Sequence, residues 1–281
     1  MSITEKQAKH LGVKKRTQWS PYLEKCCLLV SANESYQRAE EDIEVLTGIK
    51  VPHSTQQRMV HRQEFELLQI EAETETISID GGKVRLRTTK GKACEWRDYK
   101  AINLEQNGVE AFLHENERLV NWVNQQPLAH PLVCLGDGHC GIWNIFAQIG
   151  EKDQRLEILD WYHLIENLGK VGGSGQRLNQ VESLLWVGDV DGAIAQFSDW
   201  QHENTDKFIK YLNQHRSRIV NYAYFQAEGI AIGSGAIESK IKQIGRRIKI
   251  SGAQWNIKNV PQVLQQRCIY LNGYFSSKNL V

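Results

Sequence analysis

Three acidic residues of this chain each close a separate local signal, and each signal is of a kind that holds a carboxylate in place. Asp80 ends the alternating run Ile77-Ser78-Ile79 and precedes Gly81 and Gly82. Asp137 ends the apolar run Leu132-Val133-Cys134-Leu135 and lies between Gly136 and Gly138. Glu238 follows Gly233-Ser234-Gly235-Ala236-Ile237 and opens a basic helical segment. A strand presents a carboxylate rigidly at its C-terminal tip, and glycine beside it lets a phosphate backbone come close. Two aspartates and a later glutamate, brought together by folding, can hold two Mg²⁺ or Mn²⁺ ions for in-line phosphoryl transfer. The competing reading is three unrelated surface acids, because Asp-Gly alone is a turn signal. The order and context of the three favour the metal reading.

Those acids need a scaffold, and hydropathy periodicity supplies one. Up to about Leu68 the pattern is helical. Ser20-Pro21 is a capping residue followed by proline at the first helical position. Ser31 with Glu34, and Ser54 with Gln57, have capping-box spacing. Tyr36, Ala39, Ile43 and Leu46 recur on one helical face, Thr47-Gly48 is a stop, and Val51-Pro52-His53 is a turn. Three short helices with a glycine turn before the last fit a helix-turn-helix unit or, equally, a plain helical hairpin. In the former, the last helix would expose Gln56, Gln57, Arg58, His61 and Arg62 to DNA.

Near residue 74 the period changes to two. Strands are predicted at 74–80 continuing through 84–87, at 96–104, before 115, at 132–135 and at 156–159, with helices over 112–123 and 142–146. This succession predicts a mixed α/β sheet with helices on its faces. Residues 161–226 return to a helical pattern, with Leu178, Val181, Leu184 and Leu185 in one stripe and Phe208, Tyr211, Leu212, Ile219 and Tyr222 in another. An all-helical insertion therefore separates the second acid from the third. Gly172-Gly173-Ser174-Gly175 reads as a hinge within it, since the Lys-Ser/Thr and strand context of a phosphate loop are missing.

Charge is distributed unevenly. The net charge is +1, yet residues 235–281 hold eight Lys and Arg against one acid, and residues 1–62 hold ten against seven. The middle is left at −9, an acidic, cation-demanding centre between two basic ends. No apolar run reaches the length of a membrane span, and the N-terminus has no signal-peptide pattern. Six cysteines without a Cys-x-x-Cys pair read as thiols of a reducing cytoplasm.

The layout resembles the ribonuclease-H-like DDE transposases, and more closely the Kra-type insertion-sequence transposases of bacteria, relatives of the Mutator-like group. The residues that carry the likeness are Leu135-Gly136-Asp137-Gly138-His139-Cys140-Gly141-Ile142-Trp143, Leu159-Asp160-Trp161-Tyr162-His163-Leu164 and Ile232-Gly233-Ser234-Gly235-Ala236-Ile237-Glu238-Ser239. The tail Lys249-Ile250-Ser251-Gly252-Ala253-Gln254-Trp255 with Asn259-Val260-Pro261 is similar too, and the likeness runs from about Trp19 to Asn272. It implies that Asp80, Asp137 and Glu238 are catalytic and bind two Mg²⁺ or Mn²⁺ ions. Asp160 and His163 would support them. His139, adjacent to the second acid, reads as a DNA contact or a cap of the following helix, with the cap favoured. Lys240, Lys242, Arg246, Arg247 and Lys249 would grip DNA phosphates, as would Gln57, Arg58 and Arg62 near the N-terminus. Trp161 and Tyr162 would be core, and Trp255 a core anchor or a stacking wedge.

The implied division is a helix-turn-helix-like region over 1–72, a first part of the core over 73–160, the insertion over 161–228 and a basic C-terminal part over 229–281. The implied activity is DNA end cleavage followed by strand transfer, on the double-stranded DNA of element ends and target, by a homo-oligomer in the nucleoid. Two departures bear on it. Cys140 stands where an acid commonly follows Asp-Gly-His, and the chain is short for the family before Leu11. A decayed or domesticated copy that only binds DNA is one alternative. A nuclease or resolvase on the same fold is the other.

Overall fold

The computed structural model describes residues 4–10, 19–105, 107–200 and 202–275. Four helices come first: α1 (Glu5–His10), α2 (Pro21–Ser31), α3 (Tyr36–Thr47) and α4 (His53–Arg62). Ser20 caps α2 by accepting from Leu23 N at 3.1 Å, with Pro21 at the first helical position. Gly48 ends α3 in the left-handed region at φ 69°, a conformation open to glycine without strain. The two capping boxes predicted downstream are not formed. Ser31 closes α2, and Ser35 caps α3 by accepting from Arg38 N at 3.1 Å. Pro52, which has no side-chain oxygen, precedes α4, so Ser54 lies inside the first turn.

A five-stranded sheet follows, from β1 (Thr74–Leu86), β2 (Glu95–Leu104), β3 (Gly108–Leu113), β4 (Leu128–Gly136) and β5 (Arg155–Leu159), in the order β3-β2-β1-β4-β5. β1 is parallel to β4, and β4 to β5. Parallel neighbours need a crossover. In the chain α5 (Asn116–Asn124) precedes β4, and α6 (Cys140–Phe146) bridges β4 to β5. Ile77 to Ile79 of β1 and Leu132 to Leu135 of β4 are buried without alternation, as strands covered on both faces are. Phe112, placed in a helix by periodicity, instead lies in β3, and the helix starts at Asn116.

The helical insertion is α7 (Trp161–Gly169), α8 (Gly175–Trp186), α9 (Val190–Ala195), α10 (Glu203–His215), a 3-10 turn at Arg216–Arg218 and α11 (Tyr222–Ala227). Beyond it come α12 (Gly235–Ile248), a second 3-10 turn at Ile257–Asn259 and α13 (Val260–Leu271). The chain divides into two compact units, one of Met1–Leu68, Lys83–Tyr99 and Lys242–Val281, the other of Gln69–Gly82 and Lys100–Ile241.

The first unit is built from sequence-distant pieces. Leu23, Cys27, Leu28, Ile43, Met59 and Val60 of α2 to α4 share a core with Ile269 of α13 and Phe275. An α-helix leaves its last carbonyls without intrahelical partners. Carbonyls at and just past the end of α2 accept from side chains of the C-terminal helices, Leu28 O in addition to its bond from Ala32 N. Arg247 Nε donates to Ser31 O at 2.6 Å, Gln266 Nε2 to Leu28 O at 2.8 Å and Arg267 Nη1 to Ala32 O at 3.1 Å. In the second unit Trp161 packs on Trp186 and Tyr222, ring centroids 4.7 and 4.8 Å away, and Tyr222 Oη donates to Leu159 O at 2.9 Å. The insertion is thereby tied to the end of β5. No helix among the described residues is long and apolar enough to cross a membrane.

Candidate active site

Strand register brings three of the predicted acids into one row. Ile79 of β1 is the partner of Gly136 on β4, and Gly136 is the partner of Leu159 on β5. The residue after each is an aspartate: Asp80, Asp137 and Asp160. β4 and β5 end there. Asp80, expected at a strand tip, lies inside β1, which continues through Gly81 and Gly82 to Leu86. What stops at Ile79 is its pairing with β4, and that exposes the Asp80 carboxylate at the edge of the parallel part of the sheet.

Each acid has its own surroundings. Asp80 is half-buried and accepts from Gly81 N. Burial pushes its carboxyl above the usual range, and the charge of Asp137 adds to the rise. The Gly81 hydrogen bond opposes it, as do the cations His163 and Lys100. Asp137 turns one oxygen back to His139 N at 2.9 Å. His139 caps α6 through its ring, with Nδ1 accepting from Gly141 N at 3.1 Å. Cys140 opens α6 at the surface and meets Gln214 Nε2 at 3.0 Å through its sulfur.

Asp160 is fully buried and saturated. Oδ1 accepts from His163 N at 2.7 Å, capping α7, and faces His163 Nδ1 at 3.0 Å. Oδ2 accepts from Ser234 N. Burial disfavours this charge, but the His163 and Ser234 hydrogen bonds outweigh it and hold the carboxyl below the usual range. His163 is the counterpart. The Asp160 bond pushes it up to about 9 against burial, with further help from Glu238 and Asp137. Glu238, half-buried in the first turn of α12, brings Oε1 to 3.9 Å from His163 Nδ1. An imidazolium therefore connects the aspartate row to the glutamate. His163 thus pairs with Asp160, the residue that follows the last strand of the sheet.

Three contributors were missed from the sequence. Ser234 acts through its main-chain N–H, which no side-chain pattern announces. Tyr211 and His215 stand one turn apart on α10 beside the Asp137–Gly138 loop. A β-carbon at Gly138 would stand 2.2 Å from Tyr211 Cε2. His215 is fully buried, 4.8 Å from the Tyr211 ring and 6.1 Å from Trp143, and burial lowers its pKa while the Gly138 backbone and Asp137 oppose the fall. Its i, i+4 spacing from Tyr211 was the available signal, but on a buried stripe it reads as ordinary core.

The predicted DNA contacts divide. Gln57, Arg58, Lys242, Arg246 and Lys249 are exposed and Lys240 is partly so. Arg62 is exposed and pairs with Glu24 at 2.9 Å. Arg247 does not fit its expected role: it is 1% exposed, between Tyr36 and Trp255 with its guanidinium 5.0 and 4.9 Å from their rings. Helical period puts it on the inner face of α12, so its charge serves the fold. Gln56 is likewise internal, donating to Val51 O at 3.0 Å, and the His61 ring nitrogens are buried. Trp255 is a core anchor whose Nε1 donates to Ile248 O at 2.8 Å. Trp161 is core as expected, whereas Tyr162 is 63% exposed.

The donor set of Asp80, Asp137 and Glu238 is all carboxylate oxygen, the kind Mg²⁺ and Mn²⁺ prefer. The Asp80 carboxyl is raised chiefly by burial and further by the charge of Asp137, and a bound cation would relieve both. Among the described residues no group of three or more His, Cys, Asp or Glu is placed to hold a metal ion. Neither a family model nor a curated protein matches this chain.

Proposed function

We propose that this chain is a DDE transposase of a bacterial insertion sequence, with a ribonuclease-H-like core that cleaves DNA ends and joins them to target DNA. The observation that carries the reading is the row Asp80, Asp137 and Asp160 at the edge of three parallel strands, with Glu238 of α12 reaching the same His163. The order is the one the motif resemblance implies: an acid on the first strand, an acid after a central strand, a helical insertion and then a glutamate on a helix. The metal ligands in this reading are Asp80, Asp137 and Glu238. Two bound Mg²⁺ or Mn²⁺ ions would supply the Lewis acidity that activates water or a 3′-hydroxyl and stabilises the leaving oxygen.

The protein's own part is placement. Asp160 spends its charge on Ser234 and His163, which leaves the other three carboxylates as ligands. Protonated His163 would offset the repulsion between Asp137 and Asp80 and attract Glu238. Tyr211 closes over Gly138 and limits where the Asp137 loop can go. The exposed cations Lys240, Lys242, Arg246 and Lys249 would hold phosphates of the element end. Nicking and strand transfer are one displacement with two nucleophiles, and joining two ends calls for at least a dimer on DNA, in the nucleoid of the cytoplasm.

The test is Mg²⁺- or Mn²⁺-dependent cleavage and joining of DNA carrying the ends that flank this gene, with Asp80→Asn and Glu238→Gln alongside. Joining by the native chain and by neither variant supports the reading. Cleavage of branched DNA without joining would replace it with a nuclease or resolvase, and binding without cleavage with a DNA-binding remnant.

A further inference from the structure

Two neighbours in sequence, Trp161 and Tyr162, have opposite fates. Trp161 is buried among aromatic rings, whereas the Tyr162 side chain is 63% exposed and stacks on no other ring among the described residues. A large apolar ring left in solvent between two site residues, Asp160 and His163, has no role in the core.

The ring is nevertheless held. It lies against Gly233, where an added β-carbon would stand 2.5 Å from Tyr162 Cε2 and 3.6 Å from Asp160 Oδ2. The backbone on both sides is pinned. Trp161 N donates to Ile232 O at 3.0 Å, Asp160 caps α7, and Ser234 N donates to Asp160. One edge of the ring thus rests on the Gly233 segment that leads into Glu238, and the rest faces solvent at the site.

We propose that Tyr162 is a stacking platform for one unpaired base beside the scissile phosphate, so that the site takes DNA whose end is frayed or single-stranded in preference to closed duplex. The inference rests on the function proposed above and adds to it a substrate class. Inside a duplex both faces of every base are covered by its neighbours, so a protein ring can stack only on a terminal or unpaired base. Such stacking tolerates any base, because every base has a π-face. His163 and Lys240, which belong to the same compact unit, would meet the phosphates on either side.

The test uses two oligonucleotides of one sequence, one fully paired and one with a five-nucleotide unpaired tail containing 2-aminopurine, bound in EDTA so that nothing is cut. The native chain should bind the tailed DNA more tightly than the paired DNA and quench the 2-aminopurine. Tyr162→Ala should lower affinity for the tailed DNA about 5- to 100-fold and relieve the quenching, while Tyr162→Phe and Tyr162→Trp keep both. Affinity for paired DNA should stay within about twofold in all of them, which also reports that each variant is folded. Equal tail binding and quenching by native chain and Tyr162→Ala would overturn the inference and leave the transposase reading standing. If the native chain binds neither DNA, both fall.

Discussion

His163 Nδ1 stands 3.0 Å from the Asp160 carboxylate and 3.9 Å from that of Glu238, so a single imidazolium connects the end of the sheet to the helix carrying the last acid. The link depends on charge and therefore on pH. His163 is raised from about 6.5 to about 9 by folding. A raised folded-state pKa contributes stability that is fully present below the unfolded value and is lost as pH rises through the folded one. Measured without divalent ions, the native chain should exceed His163→Gln by on the order of 1–2 kcal/mol near pH 6, after allowance for the ring's partial exposure. The difference should shrink between about pH 6.5 and 9. Urea unfolding at several pH values reads this, and a gap that grows toward pH 9 would contradict the assignment.

Gly138 and Tyr211 form a second testable pair. Gly138→Ala puts a methyl into the Tyr211 ring, which is held by Phe208 on one side and His215 on the other. Overpacking of this kind costs about 1–3 kcal/mol. In the Tyr211→Leu background the same substitution should cost under about 0.5 kcal/mol, and a double-mutant cycle by thermal unfolding measures the coupling. Additive effects would mean that the ring moves aside freely.

Arg246 and Arg247 are adjacent in sequence and should separate two roles. Arg246→Ala should leave stability within about 0.5 kcal/mol, weaken DNA binding and lower the salt-dependence slope by about 1. Arg247→Lys loses the bond to Ser31 O and the placement of the guanidinium over Tyr36 and Trp255. It should destabilise the fold by about 2–4 kcal/mol. Filter binding across a salt series and chemical denaturation together read both. The reverse pattern would put Arg247 on the DNA.

Cation uptake should show as stability. If Asp80, Asp137 and Glu238 hold divalent ions, Mg²⁺ at ten times its dissociation constant should stabilise the native chain by about 1.4 kcal/mol. Asp80→Asn and Glu238→Gln should each lose most of that gain while unfolding normally in EDTA. Calorimetric scans with and without Mg²⁺ provide the measurement. An equal gain in all three chains would exclude these carboxylates as the ligands.

Much of this architecture is local and so was legible in the residues themselves. Ser20-Pro21 and Gly48 mark helix ends through their own dihedral and hydrogen-bonding properties, which need no distant partner. The β-period of Thr74–Ile79, the apolar run at Leu132–Leu135 and the Asp160–His163 spacing likewise depend on neighbours within one turn or one strand. Only the tertiary structure decided what depended on register and facing. The row Asp80–Asp137–Asp160 exists because Ile79, Gly136 and Leu159 are matched across three strands, and register is a property of pairs of strands that no single strand encodes. Whether Arg246 or Arg247 meets solvent, and whether Trp161 or Tyr162 does, turned on the phase of α12 and α7 against what they pack on, an orientation that charge and ring size do not carry. The N-terminal helices depend in the same way on Arg247, Gln266 and Arg267, more than 200 residues on, which donate to carbonyls at and just past the end of α2. The sequence by itself determined which residues could do chemistry. Strand register and helix phase decided which of them meet.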